Sequence, residues 1–411
     1  MMNYKEFKQT QTGKIPKDWE IVRLREVGEL QYGYTCSAIK EDTGIKLLRI
    51  TDINDNGKVN WKSVPYCDVN KSNYEKYKLA LGDILFARIG ATTGKTAFVD
   101  RKVKGVFASY LIKFKPVLKD LETKFLYYVT QSNTYWIQVH KNKEGQLKKG
   151  LNAKVLGNIE LSLPPLPEQK KIAEILSTVD QAIEKVDQAI EKTQRLKTGL
   201  MQELLTKGIG HKEFKDTEIG RIPKEWEVVK LGEIIKYEKG RKPKILFDQE
   251  EKNTVPYLSA ETLRTGAFIQ WATENRELIK VNNDDVILIW DGYYCGDSFI
   301  GFDGLLSSTM IKIEPKNPNL NERFLFYFLK ACFKELNTKI SGMYLKHVNK
   351  FILESQTLPL PPLHEQHKIA EVISSVDERL ELLRKRKERL EKIKKGLMND
   401  LLGGMKRVKL S

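Results

Sequence analysis

"LPPLPEQKKIAEILSTVD", Leu163 to Asp180, returns almost unchanged as "LPPLHEQHKIAEVISSVD", Leu360 to Asp377, a shift of 197 positions. A match this long inside one chain marks an internal repeat. A second pair lies upstream of each copy. "KEFKQTQTGKIPKDWEIVRL" at Lys5–Leu24 reappears as "KEFKDTEIGRIPKEWEVVKL" at Lys212–Leu231, shifted by 207. The chain is therefore written twice, with the same parts in the same order, and the middle of the first half is ten residues longer.

The repeated Pro-rich joint opens a helix. Pro167 suits a first helical turn because its missing N–H has no intrahelical acceptor to serve, and Glu168 falls near the positive end of the helix dipole. From there to about Thr206, and from His364 to about Leu402, no proline interrupts and glycine stays near the ends. Apolar residues recur every seven: Ile172, Val179, Val186 and Leu200, with Thr193 breaking the run, then Ile369, Val376, Leu383, Leu390 and Leu397. Companions three or four positions away are Ile175, Ile183, Ile190 and Leu196, then Val372, Leu380 and Ile393. This predicts a coiled-coil seam on helices ~55–60 Å long at 1.5 Å per residue. A helix of that length with one apolar stripe needs a partner, and the chain supplies two such helices. The charge run "RKRKERLEKIKK", Arg384–Lys395, reads as a solvated coiled-coil face rather than a DNA site.

Between these near-identical flanks the middles diverge. Residues 25–162 and 232–359 share only landmarks, such as "GDILFARIGATTGK" (Gly82–Lys95) against "DDVILIWDGYYCGD" (Asp284–Asp297), and "SYLIKFKP" (Ser109–Pro116) against "STMIKIEP" (Ser308–Pro315). Short β-prone runs, "ILFARI", "TAFV", "LIKFK", "VILIW" and "MIKIE", are separated by turn residues and predict mixed α/β modules. A helical stretch follows in each, "TKFLYYVTQSNTYWIQVH" and "ERFLFYFLKACFKEL". The tips "NDNGK" (Asn54–Lys58) and "RTGAF" (Arg264–Phe268) predict hairpins or tight turns.

Composition narrows the class. At 411 residues, 41% hydrophobic and 30% charged, the chain can bury real cores, and its longest apolar runs fall far short of the ~18 residues of a membrane span. The start, "MMNYKEFKQT", has no apolar secretion-signal core. Cys36, Cys67, Cys295 and Cys332 are scattered without a CxxC pair, which argues against a zinc site or a disulfide framework and for a reducing compartment. The 70 basic and 54 acidic residues give a net charge of +16. Such an excess favours an anionic partner, most often nucleic acid.

Catalytic motifs fail on inspection. "RIGATTGKTAF", Arg88–Phe98, imitates a phosphate-binding loop, but it is one residue short between its glycines and strands follow it rather than a helix. Its counterpart keeps Gly292 and Gly296 but places Asp297 where Lys95 stands, and a carboxylate would repel a triphosphate. The shared glycines predict a tight turn between strands. "HEQH", His364–His367, is one residue short of a zinc-protease motif and reads as a helix start. No adenine-methyltransferase motif, dinucleotide fingerprint or nucleophile–base set is present. The sequence assigns no catalytic residue, metal ligand or cofactor to this chain.

The PPLxEQxxIA joint occurring twice, the GxIPxxWE approach occurring twice and the basic, divergent middles together resemble the specificity subunits of type I restriction–modification enzymes. The resemblance covers essentially the whole chain. It implies an α+β architecture: two similar globular α/β target-recognition domains joined by two long helices that form an antiparallel coiled coil, with a pseudo-twofold internal repeat. The corresponding segments are 1–162 (first recognition domain), 163–208 (central conserved region), 209–359 (second recognition domain) and 360–411 (C-terminal conserved region). It also implies that each domain reads one half of a bipartite double-stranded DNA target. It implies further that the helices set the spacing and dock two modification subunits, and that restriction subunits join them. S-adenosylmethionine, ATP and Mg are expected on those partner subunits, and the setting is a prokaryotic cytoplasm with no membrane.

The landmark loops supply the DNA-contact candidates, because glycine turns there carry groups able to reach phosphates or base edges. In the first domain these are Tyr32, Tyr34, Arg49, Arg88, Thr92, Thr93, Lys95, Gln146, Lys148 and Lys149. In the second they are Lys239, Arg241, Lys242, Trp290, Tyr293, Tyr294, Tyr344 and Lys346. The aromatic members could equally serve the core, and the lysines could be solvated surface charges. Family members often carry Gly-Gly near "EGQLKKG", where this chain has Glu144-Gly145 and Ser341-Gly342. Trp19 and Trp226 recur with the frame and are expected to be core anchors. A coiled-coil scaffold for acidic proteins, or an orphan DNA-binding subunit, is the alternative.

Overall fold

The run "ILFA" is apolar at every position, and the strand it forms, Ile84–Ala87, is buried at every position. Successive side chains of a strand point to opposite faces. Accordingly, Ile84 and Phe86 enter one core with Ile112 and Phe114, while Leu85 and Ala87 enter another with Ala97 and Leu111. "VILI" of Val286–Ile289 divides in the same way. Covering both faces of a sheet calls for continuous apolar runs rather than alternation, and this is why these strands are legible in the sequence.

The structure, a computed structural model, describes residues 7–10, 13–54, 56–143, 150–316, 318–339, 347–348 and 350–409. It divides into two units, Met1–Asp187 with Lys385–Ser411, and Gln188–Arg384. In the first unit the hairpin Phe7–Thr10/Gly13–Pro16 leads into strand Glu20–Arg23, which pairs antiparallel with Glu160–Leu163. The central sheet has the order Gly28–Tyr32, Leu111–Pro116, Ile84–Ala87, Thr96–Phe98, antiparallel throughout. Strand Lys46–Leu48 runs parallel to Gly105–Phe107.

The second unit repeats each pairing. Phe214–Thr217 pairs with Gly220–Pro223, and Glu227–Lys230 with Thr357–Leu360. Its central sheet has the order Ile235–Lys239, Met310–Pro315, Val286–Ile289, Ser298–Phe299. Thr254–Leu258 runs parallel to Gly304–Leu306, with the short strands Trp271–Thr273 and Lys280–Val281 at the edges.

Two expectations need correction. "TKFLYYVTQSNTYWIQVH" forms two helices, Thr123–Val129 and Asn133–Lys143. The hydroxyls of Thr130 and Ser132 donate to the carbonyls of Tyr127 and Val129 (both 2.7 Å), and Ser132 Oγ accepts the Tyr135 N–H. Such side-chain bonds compete with the helix ladder. The counterpart, Glu322–Lys339, is continuous. "RTGAF" is not a hairpin tip: Gly266, at φ +73°, ends the short helix Ala260–Thr265 in a left-handed cap. "NDNGK" does turn tightly at Gly57 (φ +72°), as expected.

The two joints open helices Leu166–Lys207 and Leu363–Leu402. Each first turn carries a buried Glu-Gln pair. Gln169 accepts the Glu122 N–H and donates to the carbonyls of Asp120 and Pro164. Gln366 makes the same three bonds, to Asn321, Asn319 and Pro361. The glutamates receive the indole N–H of the fully buried Trp19 (Glu168, 3.2 Å) and Trp226 (Glu365, 2.9 Å). These are the core anchors expected of the two tryptophans.

Within the first unit the helices run antiparallel. Lys394 pairs with Asp180 at 2.8 Å and Lys387 with Asp187 at 2.7 Å, so one number falls as the other rises. Within the second unit Lys197 pairs with Asp377. The shift of 197 carries Asp180 to Asp377 and Lys197 to Lys394, so the same bond is made once in each unit with the helices exchanging roles. Tyr128 and Tyr327 donate to the two aspartates.

Of the expected seam, Ile172, Val186, Ile369 and Leu383 are buried, and Val179, Leu200, Val376, Leu390 and Leu397 are half-buried. The companions Leu196, Val372 and Ile393 are exposed and lie off it. The helix ends belong to the lobe cores: Ile172, Ala173, Leu176, Leu401 and Leu402 in the first unit, Leu204, Leu205, Ile369, Ala370 and Ile373 in the second. Covering a helix end from the lobe draws in residues a strict heptad does not include.

Candidate nucleic-acid interface

The false phosphate loop is a strand–turn–strand. Ala87 N–H donates to Lys95 O, Gly94 N–H to Ala87 O (both 2.8 Å) and Thr93 N–H to Gly90 O (3.2 Å). In the second lobe Ile289 N–H donates to Asp297 O, Gly296 N–H to Ile289 O (both 2.9 Å) and Cys295 N–H to Gly292 O (3.1 Å). The turn needs glycine twice. Gly90 and Gly94 have φ of +74° and +95°, Gly292 and Gly296 of +104° and +89°. A Cβ on Gly94 would stand 2.7 Å from Val139, and one on Gly296 3.0 Å from Phe333. The second glycine of each pair thus lets the turn pack against the following helix, and the residues between the glycines are free to differ.

In the first lobe the turn is tied to its surroundings at Arg88. Its guanidinium lies 5.0 Å from the Tyr32 ring and donates to Ser109 O, and its carbonyl accepts the Leu151 N–H at 2.8 Å. Tyr32 Oη accepts the Ala153 N–H, also at 2.8 Å. The segment Leu151–Ala153 is thereby clipped to the glycine turn. Tyr34 lies 5.2 Å from the Tyr77 ring and accepts a bond from Asn73. Arg49 is held by Asp52 through Nε (3.1 Å) and Nη2 (2.8 Å), bonds that raise its pKa. Thr92 and Lys95 are half-buried, and Thr92 Oγ1 is buried without a partner. Thr93 is corrected to a framework residue: it is 1% exposed and its hydroxyl donates to Gly90 O at 2.7 Å.

In the second lobe Lys239 donates to Asp291 at 2.9 Å, and His347 binds the other carboxylate oxygen. Partial burial works to raise the Asp291 pKa, but these two hydrogen bonds and the two nearby charges outweigh it and hold the carboxyl below its usual range. Trp290 is likewise corrected. It is 7% exposed, stacks on Tyr237 at 5.8 Å, and its carbonyl accepts the Val348 N–H, so it is the floor beneath the turn. Arg241, Lys242, Tyr293 and Tyr294 are exposed. Arg264 lies over the Tyr294 ring at 3.8 Å and donates to Asp297 at 2.8 Å. Gln146, Lys148, Lys149, Tyr344 and Lys346 lie outside the described residues.

Sequence reasoning missed Asp291, His347 and Asp297 as members of this surface, and it quoted Arg264 only as part of a tip. It also missed a polar cavity of about 470 Å³ in the first unit, where Lys95 meets Asn54, Lys58, Gln131 and Asn133 together with Lys394 and Lys395 of the second long helix. The juxtaposition of "NDNGK" with the glycine turn carries no local signal. Among the described residues no helix is long and apolar enough to cross a membrane.

Two copies of one α/β module, each with a variable turn held on a repeated frame and each opening a long helix, define a duplicated two-lobe architecture. The profile of the type I restriction–modification DNA specificity domain matches residues 16–192 and 223–392. A Methanocaldococcus jannaschii protein, provisionally named the specificity subunit of the type I restriction enzyme MjaX, is 34% identical over 421 residues, covering 99% of this chain and 98% of its own. The MjaVIII specificity subunit of the same organism is 42% identical over 188 residues, 46% of this chain and 44% of its own. The crystal structure of a type I S subunit from M. genitalium has the same fold, with a TM-score of 0.62 at 16% identity over 96% of this chain and 97% of that one. The chain belongs to the family of type I restriction–modification DNA specificity subunits and carries the family's domain twice.

Proposed function

We propose that each lobe reads one half of a bipartite duplex target through its glycine turn and the loops clipped to it. The observation that carries this reading is the shared turn geometry filled with unlike side chains: Thr92 and Lys95 in one lobe, Tyr294 and Asp297 at the matching positions of the other. A frame kept while its contents change suits two readers of different sequences. The excess of basic residues supplies the sequence-independent affinity for phosphates.

In this reading the chain itself is non-catalytic. Two modification subunits dock on the paired helices and transfer the methyl group from S-adenosylmethionine, and restriction subunits use ATP and Mg, in the cytoplasm. The long helices fix the unread spacer between the half-sites. Co-expression with the modification subunit, followed by genome-wide adenine-methylation mapping, tests the reading; a split target supports it, and no sequence-specific methylation refutes it. Seven residues inserted into both helices, keeping the antiparallel register, add ~10 Å at 1.5 Å per residue, or about three base pairs at 3.4 Å each. An unchanged spacer would remove the helices' role as a ruler.

A further inference from the structure

We infer that Arg264 is a base-reading residue of the second lobe, and that it recognises a guanine in that lobe's half-site. The inference rests on the proposed function and names one side chain that carries it. Arg264 sits in the last turn of helix Ala260–Thr265, just before the left-handed Gly266. Its guanidinium lies 3.8 Å from the centre of the Tyr294 ring, and one Nη1 donates to Asp297 Oδ2 at 2.8 Å. Tyr294 and Asp297 both belong to the glycine turn, so two distant segments converge to fix one planar group.

The pair has little to do for stability. The Arg264 and Asp297 side chains are 42% and 43% exposed, and exposed ion pairs contribute only ~0–1 kcal/mol. What the arrangement does is restrict the guanidinium to one plane while part of its N–H edge faces solvent. An arginine fixed in this way loses less rotamer freedom when it meets a planar pair of acceptors. In the major groove that pair is O6 and N7 of guanine, which arginine contacts through two parallel bonds. A lysine or an unrestrained arginine would serve a phosphate equally well, so the stack and the carboxylate have a purpose only if orientation matters. The neighbours are also suited to bases rather than to phosphates: Phe268 and Ile269 just beyond the cap, and Tyr293 on the turn, are all exposed. The first lobe lacks the device, having Thr92 and Lys95 where Tyr294 and Asp297 stand.

The test is selection from a randomised duplex library by the full chain assembled with its modification subunits, for wild type, Arg264→Lys, Arg264→Ala and Tyr294→Ala. Thermal melts confirm that each variant folds. Wild type is expected to return a split site. Arg264→Lys and Arg264→Ala should return the same first half-site and spacer, with one guanine position of the second half-site now accepting other bases. Affinity for the original site should fall about five- to 150-fold. Tyr294→Ala should relax the same position more weakly. If Arg264→Lys and Arg264→Ala lose affinity equally for all sequences, or keep the second half-site unchanged, Arg264 is a phosphate or structural residue and the inference is overturned. If wild type selects no sequence at all, the proposed function itself falls, and the inference with it.

Discussion

Replacing Arg407 with alanine should destabilise the first unit far more than its position four residues from the end of the chain suggests. Arg407 donates from Nε and Nη2 to the two oxygens of Glu168, both at 2.6 Å, and from Nη1 and Nη2 to Asp18 at 2.9 and 2.8 Å. The two halves of this clamp differ in worth. The Asp18 side chain is 35% exposed, so its share is ~0.2–1 kcal/mol. The Glu168 side chain is 2% exposed, and without Arg407 its carboxylate keeps only the Trp19 indole as a donor among its described contacts. Breaking a buried pair on one side costs about 3–5 kcal/mol; because the indole remains and Arg407 is partly open to water, about 3 kcal/mol is expected. The second unit provides the comparison. There Glu365 is satisfied by Trp226, the Ile209 N–H and His211, all reached by chain that continues directly from the first long helix. Urea unfolding followed by indole emission should show the first-unit transition moving to lower urea in Arg407→Ala while the second-unit transition stays in place. Asp18→Ala should shift it by less than about 1 kcal/mol. Pairing Arg407→Ala with Glu168→Gln should recover about 2 kcal/mol, the coupling expected of residues in direct contact. An Arg407→Ala shift no larger than that of Asp18→Ala would refute the claim that the tail closes this unit through a buried carboxylate.

Three further outcomes follow from the geometry. Gly90→Ala meets no atom within 4 Å, so only its positive φ is strained, at about 1–2 kcal/mol; Gly94→Ala also drives a Cβ against Val139 and Trp136 and should cost about 1–3 kcal/mol more, so equal melting temperatures for the two would contradict the packing role of the second glycine. Lys394→Met and Lys197→Met each remove the charged partner of an equivalent aspartate and should cost about 2 kcal/mol apiece in chemical denaturation, with a large inequality counting against the repeated bond. Hydrogen bonds from Lys236 and Lys312 hold the Glu314 carboxyl below its usual range. A depressed acid stabilises the fold above its unfolded pKa of ~4.3 and loses that contribution as pH falls through the folded value. The advantage of wild type over Glu314→Gln should therefore be about 1 kcal/mol near pH 7 and vanish in acid; a gap that persists at low pH would argue against the charge as its source.

The features legible in the sequence are those whose cause is local or periodic. The apolar runs at Ile84–Ala87 and Val286–Ile289, the uninterrupted helices and the paired glycines each follow from a pattern read along the chain. The site was harder because its members meet across long separations. His347 reaches Asp291 from 56 positions away, Arg264 reaches Asp297 from 33, and Arg407 reaches Glu168 from 239. No window holds both partners, so Glu168 read as a helix-dipole residue when its main work is to accept bonds from Trp19 and Arg407. Thr93 and Trp290 were misplaced for a related reason: in a turn, unlike a strand, there is no period to say which side chain points inward.

The duplication partly removes this limit, because it sets two solutions of one folding problem side by side. What holds the frame is the same in both halves: tryptophan on glutamate, glutamine plugging the joint, a half-buried lysine on aspartate between the helices, glycine where the turn meets a helix. Around the shared glycines the halves disagree at six positions: Arg88 against Trp290, Ile89 against Asp291, Ala91 against Tyr293, Thr92 against Tyr294, Thr93 against Cys295 and Lys95 against Asp297. Three of these six exchanges change charge, and the two that introduce an aspartate bring new partners: Asp297 gains Arg264, and Asp291 gains Lys239 and His347. Folding demands therefore act on one set of residues and, in the proposed reading, recognition on another, so a turn can be rewritten without disturbing its frame.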